Sequence, residues 1–302
     1  MRAGVDRDAG RLKPPAGWRP AQWDRCDGLD MMADGPRGRV LAIAGSDSGG
    51  GAGIQADIKS ITALGGYAAT AITALTAQDT HRVHDIHRVP PAFVARQIAV
   101  VLDDIGADAL KTGMLGDAAT IEAVCDALVA YAPNIALVVD PVLRATGGGP
   151  PLLPDTALDM LRRRLLPMAS VITPNLAEAA ALSGRPVHDV DGMRDAAHAL
   201  LALGVPAVLV TGGHLTGGTL VDLLVTQAGA EEFAAPRIET RHTHGTGCTL
   251  ASAVATGLAQ GMELRDAVVR ARAYVRAAIA AAPGFGGGHG PLHHGVKFAP
   301  CV

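Results

Sequence analysis

From residue 40 onward the chain alternates short apolar runs with longer stretches whose apolar residues recur at helical spacing. Residues 40–44 form an apolar run that stops in GSDSGGGAG, and 54–64 follow with helical spacing, which reads as strand, glycine loop, helix. A β-rich stretch at 67–75 leads to a helix near 93–105 and a short strand at 109–111. A helix at 118–131 then precedes the apolar run 135–139, which ends at Asp140-Pro141. Helices are predicted around 156–165, 176–182 and 193–203, with strands at 171–173 and 207–210 between and after them. The rhythm changes at 219–226 and 231–235, which read as antiparallel strands around a glycine-containing turn. Helices at 249–260 and 264–282 close the pattern, and the last twenty residues are Gly/His/Pro-rich and read as irregular.

Strands rich in Val, Ile and Ala, alternating with helices, predict an α/β domain with a mostly parallel sheet covered on both faces. Ligands of such sheets bind outside the carboxyl ends of the strands. The polar and glycine signals recur at those ends: 45–53, 111–114, 140–142, 173–175 and 211–214. Several loops should therefore converge on one crevice.

Composition narrows the class of ligand. A formal net charge of -3 gives no basic footprint for nucleic acid or an anionic membrane, so neither is expected as a partner. Cys26, Cys125, Cys248 and Cys301 form no CxxC pair and no metal spacing. No apolar run approaches the ~20 residues that span a bilayer. The first forty residues lack the apolar core of a secretory signal, and a reducing cytoplasm is the expected setting. Residues 1–38, rich in Arg, Asp, Pro and Gly without periodicity, read as a disordered or loosely attached tail, 39–295 as the domain, and 296–302 as a C-terminal tail.

The segments that carry chemistry each admit two readings. GTGC at 245–248 opens directly onto an apolar helix. Its backbone amides and the helix N-terminus suit an anion hole for a phosphoryl group, while the plainer reading is a glycine-rich helix entry. Cys248 lies where the helix field would lower a thiol pKa, or is a small buried hydrophobe. GSDSGGGAG lacks the GK[ST] ending of a P-loop and the setting of a dinucleotide fingerprint, and both are rejected. Gln78 offers donors and an acceptor that could pair with an aminopyrimidine edge, or is a solvated loop residue; Asp57 is equally ambiguous by itself. Asp140, Asn175 and Glu178 are oxygen ligands of the kind that hold Mg²⁺ through water, and Asn175 with Glu178 also has the form of a capping box. His81, His84, His87, His289, His293 and His294 match no metal motif and read as surface or tail residues.

Taken together and in order, AGSDSGGGAGIQADIK, TALTAQDT, KTGML, VVDPV, LLP, ITPNLAEA, GGH and HTHGTGC resemble the hydroxymethylpyrimidine/phosphomethylpyrimidine kinases of the ribokinase-like superfamily. The resemblance runs from about residue 40 to 294. It implies a three-layer α/β/α sandwich, a homodimer, and ATP- and Mg²⁺-dependent phosphorylation of 4-amino-5-hydroxymethyl-2-methylpyrimidine and then of its monophosphate, in thiamine biosynthesis. By position it implies that Gln78 and Asp57 bind the pyrimidine and that Gly45, Ala52, Met114 and Val142 line its pocket. Cys248 takes the place of a catalytic base, with Gly245 and Gly247 in the anion hole. Asn175, Glu178, Thr211 and Thr246 fall at the ATP phosphates, and Asp140 with Glu178 at the metal. One departure stands out: many members have lysine before GGH, where this chain has Thr211, which donates a hydrogen bond but carries no charge. Two alternatives are a pyridoxal kinase, acting on another flat hydroxymethyl heterocycle, and a non-catalytic pyrimidine-binding protein.

Overall fold

The structure, a computed structural model, describes residues 35–143 and 154–298. Most of the expected N-terminal tail, residues 1–34, lies outside the described residues.

Parallel strands come first: β1 (Arg39–Asp47), β2 (Tyr67–Gln78), β4 (Ala109–Thr112), β5 (Ala136–Val139), β6 (Val171–Ile172) and β7 (Ala207–Val210). Three more strands pair antiparallel: β3 (Val83–Arg88) with β2, β8 (Thr219–Thr226) with β7, and β9 (Gly229–Pro236) with β8. Among the described residues these nine form one sheet, in the order β3-β2-β1-β4-β5-β6-β7-β8-β9. The register is set by burial on both faces. Val40, Leu41, Ala42 and Ile43 are all fully buried, and the pleat sends Leu41 and Ile43 into one core and Val40 into the other. Leu137 and Val139 likewise oppose Val138.

The first core is closed by α2 (Pro91–Asp104), α3 (Ala118–Tyr131), α5 (Leu176–Ser183) and α6 (Val190–Leu201), together with α4 (Asp155–Met160) and the turns that follow it. The second is closed by α1 (Gly53–Ala63), α7 (Thr246–Ala259) and α8 (Leu264–Ala280). The result is the expected three layers. Helix α7 is buried at every position from Thr249 to Gly257. Its alanines, serine and glycine allow it to pack against α1, α8 and the strands at once. Among the described residues no helix is long and apolar enough to cross a membrane.

The predicted elements are present, with two differences. The sequence pattern missed β3, whose VHDIHR is an edge strand paired on one side only and therefore polar. The Gly/His-rich C-terminal segment is irregular, as expected, but it packs against the domain. His289 N–H donates to the Thr80 carbonyl (2.8 Å), and Tyr274 Oη donates to the His294 carbonyl (2.7 Å). Phe298 packs edge-on to Tyr274 at 5.7 Å, and Val296 and Phe298 pack against the core; 299–302 lie outside the described residues.

His294 is the clear correction among the histidines. It is 3% exposed and sits 3.0 Å from Thr249 Oγ1, where the sequence reading had placed it on the surface. Burial, reinforced by Lys59, pushes its pKa down from 6.5 to about 4. The fold thus favours neutral His294. The associated stability is complete above the ordinary value and is lost as pH falls from 6.5 toward 4. Denaturant unfolding at pH 7.5 and 4.5 should show wild type losing on the order of 2–3 kcal/mol more than His294→Gln between those conditions.

Candidate active site

The loops at the carboxyl ends of the parallel strands enclose a cavity of about 1050 Å³. Gly45, Ala52, Gln78, Met114 and Val142 line it, as do Asn175, Glu178, Thr211 and Thr246. Asp140, Gly245, Gly247 and Cys248 open onto the same space. The structure therefore brings together every residue singled out from the sequence except one. Asp57 has no exposed surface: Lys111 Nζ approaches its two oxygens at 2.9 and 3.1 Å, and Ser252 Oγ donates to it at 2.7 Å. It lies beneath the cavity as a buried ion pair, not on the wall where a ring would contact it.

The glycine loop after β1 explains why GSDSGGGAG is no phosphate cradle. Its amides are already occupied by an internal carboxylate. Gly49 N–H donates to Asp47 Oδ1 (2.8 Å), and Gly51 and Ala52 N–H donate to Oδ2 (3.0 and 2.9 Å). His244 Nε2 lies 2.9 Å from the same oxygen. Burial opposes ionisation of Asp47, but the bonds from His244, Ala52 and Gly49 outweigh it and hold the carboxyl below its ordinary pKa. Farther along, Gly45 lets the backbone touch the Met114 side chain, whose Cε would lie 2.5 Å from any added Cβ.

At the other side of the cavity α7 begins. Gly245 caps it at φ 85°, and a side chain there would collide with the Gly51 carbonyl as well. Thr246 N–H turns back to the Thr243 carbonyl at 3.3 Å, while the next amides of the first turn have no intrahelical acceptor and the helix dipole adds positive potential there. These groups suit an anion.

Cys248 corrects the sequence reading of its thiol. Burial pushes its pKa well above the ordinary value; Lys111 pulls it back, but Asp140 and Asp57 push it up again. Burial thus outweighs the favourable helix field, the carboxylates add to it, and Cys248 is a thiol. Lys111 remains charged: burial works against its ammonium, but Asp57 and Asp140 overcome that cost.

Asn175 and Glu178 form a complete capping box. Glu178 N–H donates to Asn175 Oδ1 at 3.0 Å, and Asn175 N–H donates to Glu178 Oε2 at 2.9 Å. Burial, with Asp140 nearby, pushes the Glu178 pKa up to about 8. Asp140 Oδ2 and Thr173 Oγ1 are buried without a hydrogen-bond partner, and both residues line the cavity beside Glu178. Two carboxyls that resist joint ionisation, one with an unsatisfied oxygen and with the unsatisfied Thr173 hydroxyl in the same cavity, are oxygen donors of the kind that fit a hard divalent cation. Arg237 also lines the cavity, but its guanidinium is spent on the carbonyls of Gly213, Leu215 and Gly217.

The sequence reading missed Asp47, His244, Thr173 and Lys111 as members of this site. All four lie inside the motifs GSDS, HTHGTGC, ITPN and KTGML, so the signal was present, but nothing in the spacing showed that the first two would meet.

A parallel sheet whose strand ends gather a helix start suited to an anion and a carboxyl pair that fits a cation, around one cavity, is the arrangement of a phosphoryl-transfer enzyme acting on a small molecule. The comparisons agree. Residues 47–293 match the family model described as phosphomethylpyrimidine kinase. The chain is 52% identical over 266 residues to the thiamine biosynthesis bifunctional protein ThiED of Geobacter sulfurreducens, covering 88% of this chain but 54%, about half, of that protein. It is 49% identical over 256 residues to the hydroxymethylpyrimidine/phosphomethylpyrimidine kinase of Streptomyces coelicolor, covering 85% of this chain and 94% of the relative. Among solved structures, the ADP complex of Bacillus subtilis pyridoxal kinase superposes with a TM-score of 0.79 at 37% identity, covering 85% of this chain and 97% of that one. This chain belongs to the phosphomethylpyrimidine kinase family.

Lys111→Met should destabilise the fold by about 3–5 kcal/mol, because it leaves Asp57 buried and uncompensated. Adding Asp57→Asn should recover much of that loss. Equal midpoints in denaturant for the single and double variants would show that the pair is not the cause.

Proposed function

We propose that this chain phosphorylates 4-amino-5-hydroxymethyl-2-methylpyrimidine with ATP, and then its monophosphate to the diphosphate, as a step in thiamine biosynthesis. The observation that carries the reading is the shared cavity: the ring-sized end at Gly45, Met114 and Gln78 is continuous with the anion-seeking start of α7. The ring would lie between Gly45 and Met114 with its polar edge on Gln78. Its hydroxymethyl group would point toward Cys248, and the transferred phosphoryl group would rest on the amides of Gly245, Gly247 and Cys248. Thr246, Thr211 and Asn175 would contact the nucleotide phosphates. Following the family resemblance, the enzyme would work in the cytoplasm as a homodimer.

Asp140 and Glu178 would hold Mg²⁺, directly or through water, with Thr173 Oγ1 beside them. When bound, the ion would supply charge neutralisation for the phosphate oxygens. The protein's own contribution is positioning and oriented amides in a site closed by the buried helix α7. Cys248 would accept the hydroxyl proton only from its minor thiolate form, its own thiol proton having first passed to solvent, and would receive it late, after most of the bond to phosphorus has formed. Its raised pKa fits a reaction in which the base contributes less than the anion hole.

One observation favours a second reading: the similarity to the Bacillus subtilis pyridoxal kinase supports turnover of pyridoxal in the same cavity. Mass spectrometry of products formed from the hydroxymethylpyrimidine with Mg-ATP should show the mono- and diphosphate, and a parallel reaction with pyridoxal ranks the two substrates. No phosphorylated pyrimidine would reject the proposal. Cys248→Ala should lower turnover roughly 10²-fold while leaving pyrimidine binding largely intact; unchanged turnover would remove the thiol from the reaction.

A further inference from the structure

The C-terminal segment carries a buried imidazole that the reaction as described leaves without a role. Gly290 and Pro291 run beside His244, directly before α7: His244 N–H donates to the Gly290 carbonyl at 3.1 Å, and His244 and Pro291 form a parallel bridge. The next residues are tied to α8. His293 N–H donates to the Ala278 carbonyl at 3.0 Å, and Tyr274 Oη donates to the His294 carbonyl at 2.7 Å. These bonds fix the backbone on both sides of His294, whose ring is thereby set against α7.

His294 Nε2 lies 3.0 Å from Thr249 Oγ1, and Thr249 Oγ1 lies 2.8 Å from the Gly245 carbonyl oxygen. The hydrogens of this chain can be counted. A carbonyl only accepts, so the single hydroxyl hydrogen of Thr249 belongs to the Gly245 contact. The reverse order would leave two oxygens 2.8 Å apart with no hydrogen between them. The Thr249 oxygen then faces His294 with lone pairs alone, and the hydrogen of that contact must come from Nε2. Burial keeps His294 neutral near pH 7, so its one ring hydrogen sits on Nε2 and not on Nδ1. Each donor gives a different hydrogen, His294 to Thr249 and Thr249 to Gly245. The Gly245 carbonyl also accepts Thr249 N–H at 2.9 Å.

Gly245 is the residue whose conformation aims the start of α7. It sits at φ 85° with the Gly51 carbonyl packed where a side chain would be, so only its backbone contacts can hold it. We propose that His294 is a positioning residue for phosphoryl transfer, which through Thr249 fixes the Gly245 carbonyl and with it the amides that begin α7. This rests on the reading that the transferred group lies on the amides of Gly245, Gly247 and Cys248. His294 does not line the cavity and acts from behind it. Without its donor, Thr249 keeps a buried, unsatisfied oxygen, and the tie between the C-terminal segment and the first turn of α7 is lost.

The relay can be read directly in the full-length chain labelled with ¹⁵N-histidine. Long-range ¹H–¹⁵N correlation at pH 7.5, assigned by the signals missing from His294→Gln, should show the Nε2–H tautomer; Nδ1–H would overturn the relay. Its role in transfer is tested with hydroxymethylpyrimidine and Mg-ATP. His294→Leu and Thr249→Val should each lower kcat about tenfold, with the pyrimidine KM within about twofold. His294→Gln and Thr249→Ser, which keep the donor and the hydroxyl, should stay within about threefold of the unaltered chain. Because both losses interrupt one relay, the double variant should fall about as far as either single one. Unchanged kcat in His294→Leu and Thr249→Val, losses that multiply in the double variant, or a change in KM alone would refute the proposal. Should His294→Leu fail to fold, Thr249→Val against Thr249→Ser makes the same comparison. If the unaltered chain phosphorylated no pyrimidine, the reading of the reaction would fail instead, while the tautomer would still decide the relay.

Discussion

The ammonium of Lys111 is buried with no surface in water, and the site above it is organised by that charge. It projects from β4 and meets Asp57 from α1 at 2.9 Å, while Asp140, at the end of β5, lies 3.8 Å away. Ser252 from α7 completes the cluster through Asp57. Two strands and two helices are thus tied to one cation directly below the start of α7. A buried charge of this kind requires partners in a defined geometry, because each unpaired ion would cost several kcal/mol. The constraint makes the floor of the cavity rigid, and it also places a positive charge under Cys248 and Asp140, next to where phosphate charge would develop.

Above that floor, the two halves of the cavity use donors differently. In the loop after β1 the glycine amides are satisfied internally by Asp47, so the loop is a rigid wall and not a phosphate cradle. At the start of α7 the Thr246 amide turns back to the Thr243 carbonyl, but no carboxylate of the chain fills the concavity among the described residues. Similar glycine-rich strings thus differ in whether a carboxylate from the chain already occupies them. His244 joins the halves, since it bonds to Asp47 and immediately precedes Gly245.

The sandwich was legible because each central strand is buried on both faces and most helices on one, which writes apolar runs and helical periods into the chain. The edge strand β3 was not legible: a strand paired on one side only carries no apolar run to read. Most site residues were legible because glycines and polar groups collect where apolar strands stop. Their partners were not. The Asp57 carboxylate looked like a ligand contact until Lys111, 54 residues away, was found bonded to it. The Cys248 thiol looked activated by its helix until burial, reinforced by two carboxylates, was found to hold its proton in place.

Local patterning, then, was enough to establish the layers, the order of strands and helices, and the rim on which chemistry would gather, because burial periodicity and turn chemistry act over a few residues. Which carboxylate meets which cation, which histidine is inside, and whether a thiol keeps its proton depended on contacts between residues as much as 197 positions apart. Those are set by how the packed layers bring distant strand ends together, and electrostatic energies in a buried site change steeply with such distances.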